Sequence, residues 1–190
     1  MGYYNTKKGI EEYIKRSKDW DGKKLIKILK KYLPKKSTLL ELGIGPGRDF
    51  DILKKTYTVT GSDSSQVFLD RYKKNNKNVD LLQLDAVTIP IERKFDCIYS
   101  NKVLHHLTKT ELKKSFARQK EVLNQNGIAF HCFWKGDKVE KKRGLLFMYY
   151  EIDVLKKIIG NNFAVMEIKT FTEMEKDDSI YVVLKKINQS

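Results

Sequence analysis

Apolar positions along the chain alternate between a helical and a strand-like period. Residues 9–18 and 21–33 carry them at helical spacing, and Leu25, Ile26, Ile28, Leu29, Tyr32 and Leu33 form a stripe that Pro34 ends. A short apolar run at 38–42 reads as a buried strand, followed by a helix at 46–55 and a β-branched strand at 57–62. The alternation continues through helix 65–74, strand 79–84, a connector through Pro90, strand 95–100, helix 109–123 and strand 127–134. A basic, glycine-punctuated connector follows at 135–146, and helix 150–160 and strands 163–171 and 179–187 close the pattern. Strands alternating with helices predict a parallel sheet with right-handed crossovers. The last two strands have no helix between them, so they are expected to pair as a hairpin and place one antiparallel strand in the sheet. The expected fold is α/β: a seven-stranded, mostly parallel sheet with helices on both faces.

The first strand runs into Glu41-Leu42-Gly43-Ile44-Gly45-Pro46-Gly47-Arg48-Asp49, a glycine loop opening a helix. Gly43, Gly45 and Gly47 remove side chains where the backbone turns sharply and let a ligand lie against main-chain atoms. Their spacing is Gly-x-Gly-x-Gly, not the Gly-x-Gly-x-x-Gly that meets a pyrophosphate at a helix N-terminus. The loop therefore suits a nucleoside without phosphates. The second strand ends at Asp63, about 20 residues beyond the first glycine, the usual interval for a carboxylate that binds ribose hydroxyls. Asp63-Ser64 and Asp85-Ala86 both follow strands, where ligands bind in such sheets, although a strand-end acid also serves as a helix cap.

Composition narrows the class. No stretch approaches the roughly 18 apolar residues of a membrane span, and the N-terminus does not resemble a signal peptide, so the expected setting is cytoplasmic. Cys97 and Cys132 lie in apolar strands and read as core thiols. With His105, His106 and His131 at no chelating interval, no metal site is expected. The net charge of +14 raises the question of nucleic acid. All but six of the 38 basic residues are lysine, spread over nearly every helix. Arginine is the better residue for bidentate phosphate and base contacts, so this surface reads as solvating, and specific nucleic-acid binding is not expected.

Together these motifs cover most of the chain and resemble the class I S-adenosylmethionine-dependent methyltransferases, in particular the small single-domain group of methyltransferase types 11 and 25. The resemblance rests on Glu41 to Gly47, Asp63, Asp85-Ala86, Phe95-Asp96, Leu104-His105-His106-Leu107 and Val122-Leu123-Asn124-Gln125-Asn126-Gly127. It implies a Rossmann-like fold and S-adenosylmethionine as cofactor, with S-adenosylhomocysteine as product. Residues 1–190 are then expected to form one domain: a helical cap at 1–36, a cofactor-binding core at 37–134, and a connector, helix and hairpin at 135–190. The implied cofactor residues are Glu41, Gly43, Gly45, Gly47, Asp63, Ser64, Asp85, Ala86, Ser100 and Asn101.

Methyl transfer from a sulfonium needs mainly alignment and a dry pocket, and a base only as the acceptor requires. His105 and His106 are the nearest titratable candidates, with packing and backbone hydrogen bonding as their alternative roles. Tyr149 and Tyr150 stand either as a lid or as core at a helix start, and Tyr149 is the third catalytic candidate. Tyr3, Tyr4 and Tyr13 either close the site or pack at the surface. Glu41 is expected to orient the loop or meet the cofactor's ammonium group, because a buried acid without a partner is costly. The expected acceptor is a small molecule. Lys135, Lys138, Lys141, Lys142 and Arg143 read as a solvated loop, with an anionic acceptor drawn in by their field as the alternative. A monomer or homodimer is expected. An RNA-modifying methyltransferase and a non-catalytic nucleoside-binding protein are the alternative functions, since a fold alone does not choose among them.

Overall fold

The computed structural model describes residues 2–188. In chain order the elements are α1 (Lys7–Arg16), α2 (Lys23–Leu29), β1 (Thr38–Leu42), α3 (Arg48–Leu53), β2 (Thr58–Asp63), α4 (Gln66–Asn75), β3 (Leu81–Gln83) and β4 (Phe95–Asn101). They continue as α5 (Lys109–Val122), β5 (Leu123–Trp134), β6 (Val139–Lys142), β7 (Leu145–Met148), α6 (Ile152–Ile159), β8 (Phe163–Phe171) and β9 (Ser179–Lys186). Side-chain caps fix several starts. Thr6 accepts from Gly9 at the head of α1, and Ser65 accepts from Phe68 at the head of α4. Thr108 and Glu111 form a reciprocal capping box on α5, which satisfies two of the amides every helix start leaves open.

Seven strands form one sheet in the order β3-β2-β1-β4-β5-β9-β8. β9 runs antiparallel to both neighbours, and the pairs from β3 to β5 are parallel. The sheet is therefore α/β and mostly parallel with one antiparallel strand, as the alternation predicts. The pleat sends alternate residues to two cores. Leu40, Ile98, Ala129, Phe133, Val182 and Leu184 face α5 and α6. Leu39, Cys97, Tyr99, Phe130, Cys132 and Val183 face α2, α3 and α4. Both cysteines are buried free thiols within that second core.

From β1 the chain moves outward through β2 and β3, then returns to the other side of β1 for β4. The carboxyl ends of β1 and β4 thus flank the point where the crossovers diverge, the place such sheets bind ligands.

Two segments differ from the sequence pattern. The basic connector holds an antiparallel hairpin, β6–β7, whose turn residues Arg143 and Gly144 both have positive φ (54° and 75°). That is the backbone of a tight two-residue hairpin turn, normally signalled by Asn-Gly or Asp-Gly. The second difference is β5, which begins at Leu123 and not at 127; Asn126, at φ 62°, sits inside the strand. Among the described residues no helix is long and apolar enough to cross a membrane.

Candidate functional site

A cleft of about 310 Å³ opens at that divergence point, a volume in the range of small-molecule sites. Its first wall is the glycine loop. Gly43 has φ +74°, and a Cβ there would lie 2.6 Å from Val103 Cγ2, so glycine is what lets the loop after β4 close against the loop after β1. Gly47 has φ +87°, and a Cβ there would lie 2.2 Å from Tyr72 Cε2. Gly43 and Gly45 line the cleft, whereas Gly47 is buried behind it as the residue before α3.

Asp63 ties this loop to the end of β2. Its Oδ2 accepts the Gly45 amide at 2.9 Å and its Oδ1 the Ser65 amide at 2.8 Å. The helix cap is Ser65 and not Asp63, so the carboxylate is left facing the cleft with further lone pairs. Burial raises its pKa above the ordinary 3.8, and hydrogen bonds from the Ser65, Gly45 and Ser64 amides act against that rise. Ser64 is exposed on the same rim. Asp85 and Ala86 also line the cleft. Asp85 Oδ1 accepts the amides of Val87 (2.6 Å) and Thr88 (3.0 Å), which orders its own loop and leaves its other oxygen open.

A cluster of acids lies deeper. Glu41 is fully buried, and its Oε2 has no hydrogen-bond partner among the described residues. Burial first, then the charges of Asp49, Asp63 and Asp51, push its pKa well above the ordinary 4.5. Asp49 is fully engaged: Oδ1 accepts the Gly22 amide at 2.6 Å, and Oδ2 accepts Tyr99 Oη at 2.8 Å and Asn101 Nδ2 at 3.0 Å. Asn101 is thereby held with its Oδ1 buried and without a donor. Glu41 and Asn101 both line the cleft and both present an acceptor that lacks a donor.

The second wall comes from the N-terminal segment. Asp49 holds Gly22, and the Arg48 guanidinium donates to the carbonyls of Ser17, Trp20 and Ile14 at the end of α1. Arg48 therefore pairs with main-chain carbonyls and not with a carboxylate. The consecutive Arg48 and Asp49 latch this segment across the cleft, placing Tyr4, Tyr13 and Trp20 on its wall. Tyr4 also accepts a hydrogen bond from Ser65 through its carbonyl, and its ring lies 5.3 Å from that of Tyr13 and 6.0 Å from that of His106.

The three catalytic candidates separate. His106 lines the cleft, and its Nδ1 donates to the Leu146 carbonyl at 2.6 Å. That bond fixes the tautomer and puts the lone pair on Nε2. Burial holds the His106 pKa below 6.5, against the opposing effect of the Leu146 carbonyl, so the ring is neutral at pH 7. His105 lies behind it, 2% exposed, stacked on Phe147 at 5.3 Å with neither ring nitrogen partnered. It packs and does not reach the cleft wall. Tyr149 is also off the wall: its hydroxyl donates to Glu140 in β6 at 3.4 Å. Tyr150 is core, 1% exposed against Phe133.

Ser100 does not reach the cleft either. It is fully buried and donates to His131 Nδ1 at 2.8 Å; His131 Nε2 donates to Gln119 Oε1 at 2.7 Å. Gln119 continues to Ser115 at 3.0 Å, and Ser115 to the Ala86 carbonyl at 2.6 Å. This buried chain braces the Ala86 loop from beneath β4. Its members are scattered over the sequence, and no local pattern reveals it. Trp20, Asp49, Phe68, Lys102, Val103 and Leu145 also line the cleft, and the sequence assigns none of them a role in the site. Asp49 alone carries a signal, an acid in the first turn of a helix, and that signal reads equally as helix-dipole chemistry.

Residues 39–127 match the sequence model of a methyltransferase domain family, whose members depend on S-adenosylmethionine. No curated protein matches the sequence. Among solved structures, the chain is similar to the 1,6-didemethyltoxoflavin-N1-methyltransferase of Burkholderia thailandensis (TM-score 0.80, 16% identity, 95% of this chain and 85% of that one), whose crystal structure has 1,6-didemethyltoxoflavin and S-adenosylhomocysteine bound. It is also similar to the N-methyltransferase NodS of Bradyrhizobium japonicum (TM-score 0.73, 16% identity, 97% and 100%). A third match is an S-adenosylmethionine-dependent methyltransferase of Clostridium acetobutylicum (TM-score 0.74, 15% identity, 94% and 98%). The glycine loop, the strand order and the methyltransferase-domain match over 39–127 support a class I methyltransferase of the type 11/25 group.

Proposed function

We propose that the protein transfers a methyl group from S-adenosylmethionine to a small-molecule acceptor. One observation carries this reading: Glu41 and Asn101, each with a buried acceptor oxygen that has no donor among the described residues, line a cleft rimmed by the glycine loop and Asp63. A buried acceptor left unpaired costs about 1–3 kcal/mol, and more when it carries charge. A ligand bearing an ammonium group at this depth and a ribose at the rim relieves that cost and meets Asp63. S-adenosylmethionine has both.

In this assignment Glu41 and Asn101 take the ammonium, Gly43 and Gly45 let the chain lie close, Asp63 and Ser64 take the ribose, and Asp85 and Ala86 border the adenine. Gly47 and Ser100 hold the walls from behind. S-adenosylmethionine bound there would supply the methyl group to the acceptor's lone pair, and His106 Nε2 would take the proton the acceptor loses. His106 is the proposed base, since it is neutral, of fixed tautomer and on the cleft wall. The similar 1,6-didemethyltoxoflavin-N1-methyltransferase supports a small acceptor.

The test compares S-adenosylhomocysteine with its desamino analogue by calorimetry. The desamino compound should bind at least tenfold more weakly, and Glu41→Gln should shrink that difference. Equal binding of the two ligands to the unaltered protein would remove the ammonium assignment.

A further inference from the structure

The charged groups on the cleft wall are largely committed elsewhere. Arg48 is engaged by three main-chain carbonyls. Lys102 uses its three N–H donors on the Phe133 carbonyl (3.0 Å), Ser179 Oγ (2.7 Å) and Glu173 Oε2 (3.1 Å), and its ammonium lies 3.2 Å from the centroid of the Trp134 ring. These are the two lysine or arginine side chains on the wall among the described residues, and neither is free to receive an anionic group. The acids at the same mouth are paired as well: Asp21 with Lys23 at 2.7 Å, and Glu173 with Lys102. The hairpin's Lys138, Lys141, Lys142 and Arg143 are exposed and off the wall, with Lys142 bridged to Glu140 and Arg143 lying 5.8 Å from the Tyr3 ring.

What the wall does offer is flat apolar surface. Tyr4 and Tyr13 stand edge to face, with Tyr4 beside His106; Trp20 is 39% exposed at the mouth, and Val103 and Leu145 also line the cleft. Aromatic side chains of this kind bind planar rings by stacking and edge contacts. Resting on the methyl-transfer reading, we propose that the acceptor is an uncharged, planar heteroaromatic molecule methylated on a nitrogen, seated between the Tyr4–Tyr13–Trp20 wall and Val103–Leu145 with that nitrogen at His106.

Nitrogen follows from the chemistry of the base. A neutral aromatic nitrogen attacks through its lone pair and becomes strongly acidic as the new bond forms, so a weak base suffices to take its proton. A phenol or alcohol must lose its proton before it attacks, and an aliphatic amine is protonated at neutral pH. Of the three, the aromatic nitrogen suits His106 Nε2, the imidazole lone pair on the cleft wall, best.

The test uses the full chain carrying Trp134→Phe, which leaves Trp20 as its one tryptophan and keeps an aromatic ring beneath Lys102. With S-adenosylhomocysteine bound, fluorescence is titrated with uncharged purine- and pyrimidine-type compounds, their carboxylated counterparts, catechols and aliphatic amines. The uncharged heteroaromatics should quench Trp20, with the carboxylated forms at least tenfold weaker. Mass spectrometry with S-adenosylmethionine should place the methyl group on nitrogen. Tyr4→Ala should raise KM for the acceptor at least tenfold and Tyr4→Phe should restore it, whereas His106→Asn should act on kcat. Tighter binding of the carboxylated members, methylation of oxygen or of aliphatic amines alone, or no quenching by any compound overturns the proposal. If S-adenosylhomocysteine binds in those cases, the methyl-transfer reading stands without it; if S-adenosylhomocysteine itself fails to bind, both fall.

Discussion

Replacing Asp63 with Ala removes one carboxylate that serves the fold and the proposed ligand together. In the folded chain it accepts two main-chain amides, Gly45 at 2.9 Å and Ser65 at 2.8 Å. Losing an acceptor for buried donors costs about 1–3 kcal/mol each. Part of this is offset, because burial already disfavours the charged form of Asp63. A net loss of about 2 kcal/mol of stability is expected, measured by urea denaturation. Ligand binding loses a charge-assisted contact to the ribose, about 1.5–3 kcal/mol, or roughly ten- to over a hundredfold in affinity. A loosened glycine loop alone also weakens binding, so affinity by itself does not isolate the ribose contact. A cycle does: S-adenosylhomocysteine and its 2′,3′-dideoxyribose analogue are each titrated into both proteins by calorimetry. If Asp63 meets the hydroxyls, their removal should matter in the unaltered protein and little in Asp63→Ala, a coupling of at least about 1.5 kcal/mol. Effects that add within about 0.5 kcal/mol would refute the ribose contact and leave Asp63 as a brace for the loop.

Other expectations follow from the same geometry. Glu41→Gln should change the pH dependence of stability. The folded pKa of Glu41 is raised, so its favourable contribution is fully present below pH 4.5 and is lost by about 1.4 kcal/mol per unit as pH rises toward the folded value. The variant should gain on the unaltered protein as pH rises above 4.5 in denaturation curves, and parallel curves would contradict this. Gly47→Ala should lower stability by about 3 kcal/mol or more, since the new Cβ meets both a φ of +87° and the Tyr72 ring; a normal melting temperature would count against the loop geometry. Once an acceptor is in hand, kcat/KM should fall as pH drops through an apparent pKa below 6.5 and stay level from 7 to 8, because His106 must be neutral and burial lowers its pKa. His106→Asn should abolish that limb, and its persistence would move the base elsewhere.

The succession of strands and helices and the glycine loop were legible because local pattern encodes them: buried β-branched runs and glycines at fixed offsets act over a few residues. The antiparallel last strand was legible for the same reason, since no helix separates it from its neighbour. The β6–β7 hairpin was not, because Arg143-Gly144 is a weak turn signal and Val139–Lys142 lacks alternation. Distances across the fold were least accessible. Nothing in the sequence joins Gly22 to Asp49, Arg48 to the end of α1, or Ser100 to Ala86 through His131, Gln119 and Ser115. The same holds for the histidine pair. Adjacent side chains look equivalent in sequence, but the turn at Leu104–His106 sends His105 into the core and His106 to the cleft. For Glu41 the sequence left two roles open, orienting the loop or meeting the cofactor's ammonium group, and its unpartnered oxygen favours the second.

The most direct test of the central claim is a calorimetric titration of the purified protein with S-adenosylhomocysteine, repeated in two buffers of different ionisation enthalpy. The account predicts one site per chain with a dissociation constant in the low micromolar range, about −8 kcal/mol. It also predicts proton release on binding, seen as a heat that differs between the buffers, because an ammonium group beside Glu41 favours the ionised carboxylate that burial otherwise suppresses. No binding at millimolar ligand, or binding of NADH in its place, would contradict it.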